Sequence, residues 1–138
     1  VHYGYIEKFI EKLGERFHIK EIAFDRWGAV QMVQNLEGMG FTVVPFGQGF
    51  KDMSAPTKEL YKLTLEQKLA HGGHPVLRWC MDNCVVQIDP AGSIKISKAK
   101  AIEKVDLAVA LVMALDRAIR NENTQTESVY EHRGLLLI

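Results

Sequence analysis

The sequence has few cysteines, no excess of either charge and no apolar run long enough for a membrane. Its two cysteines, Cys80 and Cys84, are four residues apart, and a disulfide within one helix has poor geometry, so we expect two reduced thiols. Lys plus Arg and Asp plus Glu both number 17, so the net charge of zero gives no global indication of a nucleic-acid partner. The longest apolar run, Val105–Leu115, is too short and too interrupted to span a bilayer, and we expect no membrane partner.

Several common functional motifs are also missing. The sequence has no Gly-x4-Gly-Lys-Ser/Thr loop and no Gly-x-Gly-x-x-Gly, so it gives no support for nucleotide binding by those devices. It has no nucleophile-elbow motif, which argues against Ser-His-Asp chemistry. It begins at Val1 with neither an initiator Met nor a basic-then-apolar leader, and we expect a fragment of a longer protein. Its 138 residues predict one domain over 1–122, followed by a tail over 123–138.

The first third of the chain alternates predicted helices and strands. Apolar residues at helical spacing predict an amphipathic helix over Tyr3–Leu13 that ends at Gly14. A strand is predicted over Ile19–Asp25, a second helix over Trp27–Met39 and a second strand over Phe41–Phe46. This alternation predicts an α/β fold with parallel strands and flanking helices.

The remainder is predicted to hold three helices and a hairpin. Ser54 is a favoured N-cap residue, which predicts a helix over Ser54–Leu69. A second helix is predicted over about Val76–Val85, and Val86–Ile96 has the pattern of a β-hairpin. A lysine-rich loop then leads into an apolar core helix over about Lys104–Asn121. We expect 123–138 either to be mobile or to pack on a neighbouring chain.

Two carboxylates, Asp25 and Asp106, are candidates for chemistry. Asp25 ends a predicted parallel strand, and sites in open α/β sheets form beyond the carboxyl ends of strands. If Asp106, at the front of the core helix, faces the same edge, the pair provides the carboxylate oxygens that Mg²⁺ prefers. Local preferences favour structural alternatives: Asp25 as the N-cap of the next helix, and Asp106 as a first-turn acid that interacts with the helix dipole. The spacing does not decide between these interpretations.

Two further sets of side chains have functional residue types. The first set is of zinc-ligand type and consists of His71, His74, Cys80 and Cys84. Its spacing matches no usual zinc pattern, so core thiols with loop histidines are the favoured interpretation. The second set is basic, able to contact phosphates, and consists of Arg78, Lys98, Lys100 and Lys104. Its alternative is a solvated surface.

Six motifs occur together in one order. They are Phe24-Asp25-Arg26-Trp27, Phe46-Gly47-Gln48-Gly49-Phe50, Met53-Ser54-Ala55-Pro56-Thr57-Lys58-Glu59-Leu60, His71-Gly72-Gly73-His74-Pro75-Val76-Leu77-Arg78-Trp79, Asn83-Cys84-Val85-Val86 and Glu103-Lys104-Val105-Asp106. This set, over about Tyr3–Ala118, resembles the C-terminal nuclease region of the large terminase subunit of tailed bacteriophages and prophages. The resemblance implies a ribonuclease H-like fold and a divalent-metal DNA endonuclease that cuts concatemeric viral DNA during packaging.

The resemblance also implies a site. Asp25 and Asp106 correspond to catalytic metal ligands of the family, which uses two Mg²⁺ or Mn²⁺ ions. A further family acid lies on the first strand of a three-stranded antiparallel unit before the first helix, and it has no counterpart here. We therefore expect a partial nuclease domain that is weakly active or inactive by itself.

The implied partners are double-stranded viral DNA, the terminase small subunit and the portal protein, in the cytoplasm of a bacterial host cell. Without the antiparallel unit, we expect an exposed sheet edge through which two copies of the chain pair. Two alternatives stay open. One is a non-catalytic prophage remnant or interaction module of the packaging machinery, and the other is a zinc-stabilised binding module.

Overall fold

The computed structural model describes residues 2–27 and 29–136, and the side chains of 2–27 and 29–122. Within them the chain forms a mixed α/β fold with the following elements: α1 (Tyr3–Arg16), β1 (Ile22–Asp25), α2 (Val30–Gly38), β2 (Val43–Phe46), α3 (Phe50–Leu65), α4 (Pro75–Asp82), β3 (Val86–Ile88), β4 (Ile94–Ile96) and α5 (Asp106–Leu136). These elements fall into two compact units, Val1–Gln48 and Gly49–Ile138.

The first unit contains the predicted parallel strands. β1 pairs with β2 in parallel, with Ile22 opposite Val43 and Asp25 opposite Phe46. The prediction of a parallel pair is confirmed. Side chains of α1 and α2 are joined by a hydrogen bond in which Asn35 Nδ2 donates to Glu7 Oε1 at 2.9 Å. The pair of strands thus places Asp25 at its carboxyl end.

Two predicted helix boundaries in this unit are wrong. α1 continues through Gly14 to Arg16. Gly14 instead allows the ring of Phe41 to pack against the helix, since an added Cβ would lie 2.8 Å from Cζ of Phe41. α2 begins at Val30, three residues after the predicted start at Trp27. α2 ends at Gly38, and Gly40 follows the C-cap Met39: its φ of +94° suits glycine, and its N–H bonds to the Glu37 carbonyl at 2.9 Å.

The second unit has a core built by α3 and α5. Among the described side chains of this unit, the buried apolar ones are Met53, Pro56, Leu60, Cys80, Ile96, Val105, Ala108, Val109, Val112 and Met113. Five of them belong to α5 or to the residue just before it, which explains the apolar run of the sequence. The helix also buries Asp116, whose carboxylate pairs with Arg120 Nε at 2.9 Å.

The predicted N-cap at Ser54 is wrong. α3 begins at Phe50 with Gly49 as its N-cap, and it ends at Leu65 instead of Leu69. Ser54 lies inside the helix, where its hydroxyl accepts the Ile94 N–H at 3.0 Å and so ties β4 to α3. The Ser54 hydroxyl therefore bonds to a residue 40 positions further along the chain, and not to an N–H group of its own helix.

The remaining elements follow the predicted order. α4 covers Pro75–Asp82, slightly shorter than predicted, and β3 and β4 form the predicted antiparallel hairpin. α5 extends past the predicted end at Asn121 to Leu136. The expected packing or mobility of 123–138 lies outside the described side chains. Among helices in the part of the chain that the structure describes, none combines the length and apolar character needed to cross a membrane.

Candidate metal and nucleic-acid site

Asp25 lies half-buried at the carboxyl end of β1. Its Oδ1 accepts the backbone N–H of Trp27 at 3.3 Å, which fixes the turn that follows the strand. α2 begins five residues later with Ala29 as N-cap and no side-chain cap. The interpretation of Asp25 as a helix cap is therefore wrong. The residue instead places a carboxylate where sites of α/β folds form.

Asp106 is the first residue of α5, and its side chain is exposed. The preceding Val105 is 3% exposed, and its carbonyl accepts the Val109 N–H at 3.0 Å. Val105 thus anchors the start of the helix in the core and leaves Asp106 at the surface. A carboxylate in the first turn is stabilised by the helix dipole, so the structural and chemical roles of Asp106 are compatible.

The lysine-rich segment between β4 and α5 is an ordered loop. Lys98, Lys100 and Lys104 are exposed on it. Its backbone is held by two buried polar residues, Asn83 and Ser97, which are 7% and 4% exposed. The segment therefore carries three exposed lysines on a hydrogen-bonded backbone that leads into Asp106.

Asn83 and Ser97 were missed by sequence reasoning. An Asn after a helix and a Ser after a strand are ordinary residues at such positions, so their types carry no signal of a distant partner. The Asn83 side chain bonds to the carbonyl of Lys104, which lies 21 residues further along the chain. The two residues come together only in the folded chain, so the sequence pattern does not indicate this contact.

Arg78 is exposed on α4, away from the lysine-rich loop in sequence. It lines a cavity of about 410 Å³ together with His71, Asp82 and apolar side chains of α4 and α5. Arg78 is thus part of a concave surface of the second unit. Its predicted contact with DNA stays a prediction.

The four side chains of zinc-ligand type do not form a zinc site. Nδ1 of His71 accepts the Gly73 N–H at 3.0 Å, and Nδ1 of His74 accepts the Leu77 N–H at 3.4 Å and caps α4. The thiol of Cys84 donates to the carbonyl of Cys80 at 3.2 Å, and both cysteines are free, as predicted. Burial, and secondarily the neighbouring Cys80, raise the pKa of the Cys84 thiol, which opposes the thiolate that zinc binds.

Within the described residues no group of three or more His, Cys, Asp or Glu side chains is arranged to hold a metal ion. Asp25 belongs to the first unit and Asp106 to the second. Carboxylates are hard oxygen donors and fit Mg²⁺ or Mn²⁺ better than zinc. The donor type at both positions is thus suited to the cation that the sequence resemblance implies.

The sequence matches the model of a known protein family. The model of the terminase large subunit endonuclease domain matches residues 1–122, which include both Asp25 and Asp106. The chain therefore belongs to the family of terminase large subunit endonuclease domains.

Particular relatives are phage proteins and one bacterial protein. The terminase large subunit of Enterobacteria phage HK97 is 38% identical over 120 residues, which cover 86% of this chain and 24% of that protein. Protein YmfN of Escherichia coli strain K12 is 32% identical over 130 residues, which cover 93% of this chain and 29% of that protein. The chain thus spans about a quarter of the length of these curated relatives.

The crystal structure of the HK97 bacteriophage large terminase has a similar fold. It matches with a TM-score of 0.77 and 37% sequence identity, over 85% of this chain and 25% of that chain. The resemblance in the sequence motifs is confirmed by the family, by a relative and by a solved structure.

Proposed function

We propose that this chain is a ribonuclease H-like, metal-dependent endonuclease domain that cuts double-stranded viral DNA during packaging, with Asp25 and Asp106 as catalytic metal ligands. The observation that carries the proposal is the family match over residues 1–122, which includes both acids at the end of a parallel strand and at the start of a core helix. The chain spans only about a quarter of the length of the HK97 terminase large subunit. The activity of the whole protein is therefore a proposal for this chain.

The two acids suit this role for physical reasons. The Trp27 N–H holds Asp25 Oδ1 and fixes the orientation of the carboxylate at the strand end. Val105 fixes the backbone beside Asp106. Ligands that are fixed before binding lose less conformational entropy when a cation binds. A pair of bound divalent ions would supply polarisation of the phosphodiester and stabilise the attacking and leaving oxygens.

The exposed cations Lys98, Lys100 and Lys104 would position the DNA backbone beside Asp106, and Arg78 would extend that contact along α4. Contacts of this kind are independent of sequence and depend strongly on salt. We propose the terminase small subunit, the portal protein and a second copy of the chain as protein partners. The second copy would pair along an edge of the two-stranded β1–β2 sheet. The setting would be the cytoplasm of the bacterial host.

The isolated 138 residues are proposed to cut weakly or not at all. Two carboxylates supply fewer ligands than a two-metal cleavage site normally uses. The proposal therefore separates metal binding, which the two acids should retain, from efficient turnover, which needs a further ligand.

A plasmid-cleavage assay with Mg²⁺ and Mn²⁺ tests the nuclease proposal. Wild-type chain should nick supercoiled DNA slowly and only with metal, and Asp25→Asn or Asp106→Asn should abolish the nicking. At position 25, an Asn side chain keeps an oxygen that can accept the Trp27 N–H, but it lacks the negative charge of Asp. Glu37→Gln, at an exposed acid of α2 that has no assigned role, is the control and should nick as wild type does.

Rapid cleavage that needs Asp106 would contradict the weak-activity part of the proposal alone. Nicking that persists in both Asn variants would contradict the assigned ligands. If the wild type neither nicks DNA nor binds Mn²⁺, the chain is better explained as a non-catalytic interaction module.

Binding of a double-stranded oligonucleotide at several salt concentrations tests the lysines. Each single replacement of Lys98, Lys100 or Lys104 by Gln should make the plot of log affinity against log salt less steep by about 1, the value for one phosphate contact. Lys62→Gln, at an exposed lysine on α3, should leave the slope unchanged. Equal slopes for all four variants would contradict the proposed DNA surface.

A further inference from the structure

Asn83 connects the end of α4 to the segment that leads into Asp106. Its side-chain Nδ2 donates to the carbonyl of Lys104 at 3.1 Å. Its own carbonyl accepts the Ile102 N–H at 3.3 Å. One buried residue thus holds the loop at two points, both within four residues of the candidate ligand.

Ser97 holds the other end of the same loop. Its N–H donates to the Val85 carbonyl at 2.8 Å, which continues the contact between the hairpin strands. Its Oγ accepts the Lys100 N–H at 3.2 Å, and its carbonyl accepts the Ala101 N–H at 3.1 Å. Ser97 therefore turns the chain so that Lys98 and Lys100 stay exposed.

The two residues act on the same short segment. Residues 97–104 contain no helix or strand, so their backbone order depends on such individual bonds. Together with the buried Val105, the bonds of Asn83 and Ser97 fix the loop from its first residue to its last. A buried side chain that orients the backbone of a ligand resembles, in its effect, the outer partners that orient metal ligands.

We infer that Asn83 is a positioning residue of the metal site, and that with Ser97 it sets the placement of Lys104 and Asp106. This inference rests on the proposed function for the role of Asp106, but the placement of the loop rests on the hydrogen bonds alone. Asn83 touches neither DNA nor metal in this assignment. It acts through the Lys104 carbonyl.

The test compares three variants of the full chain. Asn83→Leu keeps a side chain branched at the same carbon but removes the donor to Lys104. Ser97→Ala removes the acceptor for Lys100 and is the milder change if Asn83→Leu folds poorly. Thr57→Val is the matched control, because Thr57 is also buried in the second unit and its hydroxyl bonds to the Met53 carbonyl within α3. In each variant one buried side chain loses one hydrogen bond to the backbone.

Limited trypsin digestion followed by mass spectrometry measures how readily the loop over residues 97–104 is cut. Cleavage after Lys98, Lys100 and Lys104, relative to cleavage after Lys62, should rise about tenfold in Asn83→Leu, the factor expected from losing roughly one hydrogen bond. Ser97→Ala should raise cleavage after Lys98 and Lys100. Thr57→Val should leave the ratio as in the wild type.

Titration with Mn²⁺ measures the effect on the site at a temperature where every variant is folded. Asn83→Leu should weaken Mn²⁺ binding about tenfold, the lower end of the range for groups that orient a ligand, and Thr57→Val should not weaken it. Loop cleavage and Mn²⁺ affinity in Asn83→Leu that equal those of Thr57→Val would overturn the inference. A more readily cut loop with unchanged affinity would overturn the positioning role as well.

The two proposals fail in different ways. A wild-type chain that binds no Mn²⁺ would contradict the proposed function, and the trypsin ratio would then decide whether Asn83 holds the loop. A wild-type chain whose binding depends on Asp106 but not on Asn83 would leave the proposed function standing and contradict only the inference.

Discussion

The two units bury very different amounts of apolar side chain. In the first unit, among described residues, Leu36 and Phe46 are the buried apolar side chains, and α1 buries none. In the second unit, α5 alone places four fully apolar residues in the core. Burial of apolar area is the main source of folding free energy, so the second unit has the stronger source of stability.

The difference bears on the site, because each unit carries one candidate ligand. Asp106 follows a buried Val105 and a loop held by Asn83 and Ser97. Asp25 is the last residue of a strand of half-buried residues, and the exposed Trp27 lies two residues later in the turn. We expect the position of Asp106 to be more rigid than that of Asp25.

The largest effect is expected from Met53→Ala in α3. Met53 is 2% exposed, and removing its side chain leaves a cavity in the core, so the free energy of unfolding should fall by about 2–5 kcal/mol. Urea denaturation followed by circular dichroism measures it. Leu65→Ala is the control on the same helix, because Leu65 is 67% exposed and its loss should change stability by less than about 0.5 kcal/mol. Similar losses from both would contradict the assignment of the core.

Hydrogen exchange should distinguish the two units directly. Amides of α1 and β1 should exchange at least about tenfold faster than those of the α5 segment Val109–Met113, because segments with few buried apolar contacts open at lower free energy. Mass spectrometry of peptides from the exchanged protein measures the rates. Equal protection in α1 and α5 would show that burial of side chains does not set the stability of the units.

Two glycines near the end of α2 should respond in opposite directions. Gly40 has a φ of +94°, so Gly40→Ala should destabilise the chain by about 1–2 kcal/mol. Gly38 lies in the helix with open space around it, so Gly38→Ala should stabilise by up to about 1 kcal/mol. Thermal unfolding measures both. The same sign for both substitutions would contradict the helix end described for α2.

The smallest effect concerns the Cys84 thiol. Since burial raises its pKa in the folded state, the folded chain holds this proton more tightly than the unfolded chain does. The contribution of this thiol to the free energy of unfolding is complete below the ordinary thiol pKa of 9.0. It is lost as the pH rises through the pKa of the folded state. Cys84→Ser should therefore flatten the alkaline end of the stability curve, measured by urea denaturation from pH 7 to 10. An unchanged curve would contradict the raised pKa.

The sequence predicted the features that depend on local pattern. The alternation of helices and strands predicted the parallel pairing of β1 and β2, and the pattern of Val86–Ile96 predicted the hairpin. The apolar period placed α5, with Asp106 at its start. Each of these depends on neighbouring residues along the chain.

The errors come from contacts between distant residues. Ser54 has the preference of an N-cap, but the Ile94 N–H takes its hydroxyl. Gly14 has the preference of a helix end, but the helix continues because the absent side chain leaves room for Phe41. Asn83 could not be assigned a role because its partner, the Lys104 carbonyl, is adjacent only in the folded chain. Tertiary contacts outweighed local preference at Ser54 and Gly14, whereas the local sequence carried no signal for the role of Asn83.

The most direct test of the account is a calorimetric titration of the chain with Mn²⁺. The account predicts saturable binding in the wild type that is lost in both Asp25→Asn and Asp106→Asn and retained in the control Glu37→Gln. Identical titrations for the wild type and all three variants would contradict the assignment of Asp25 and Asp106 as ligands.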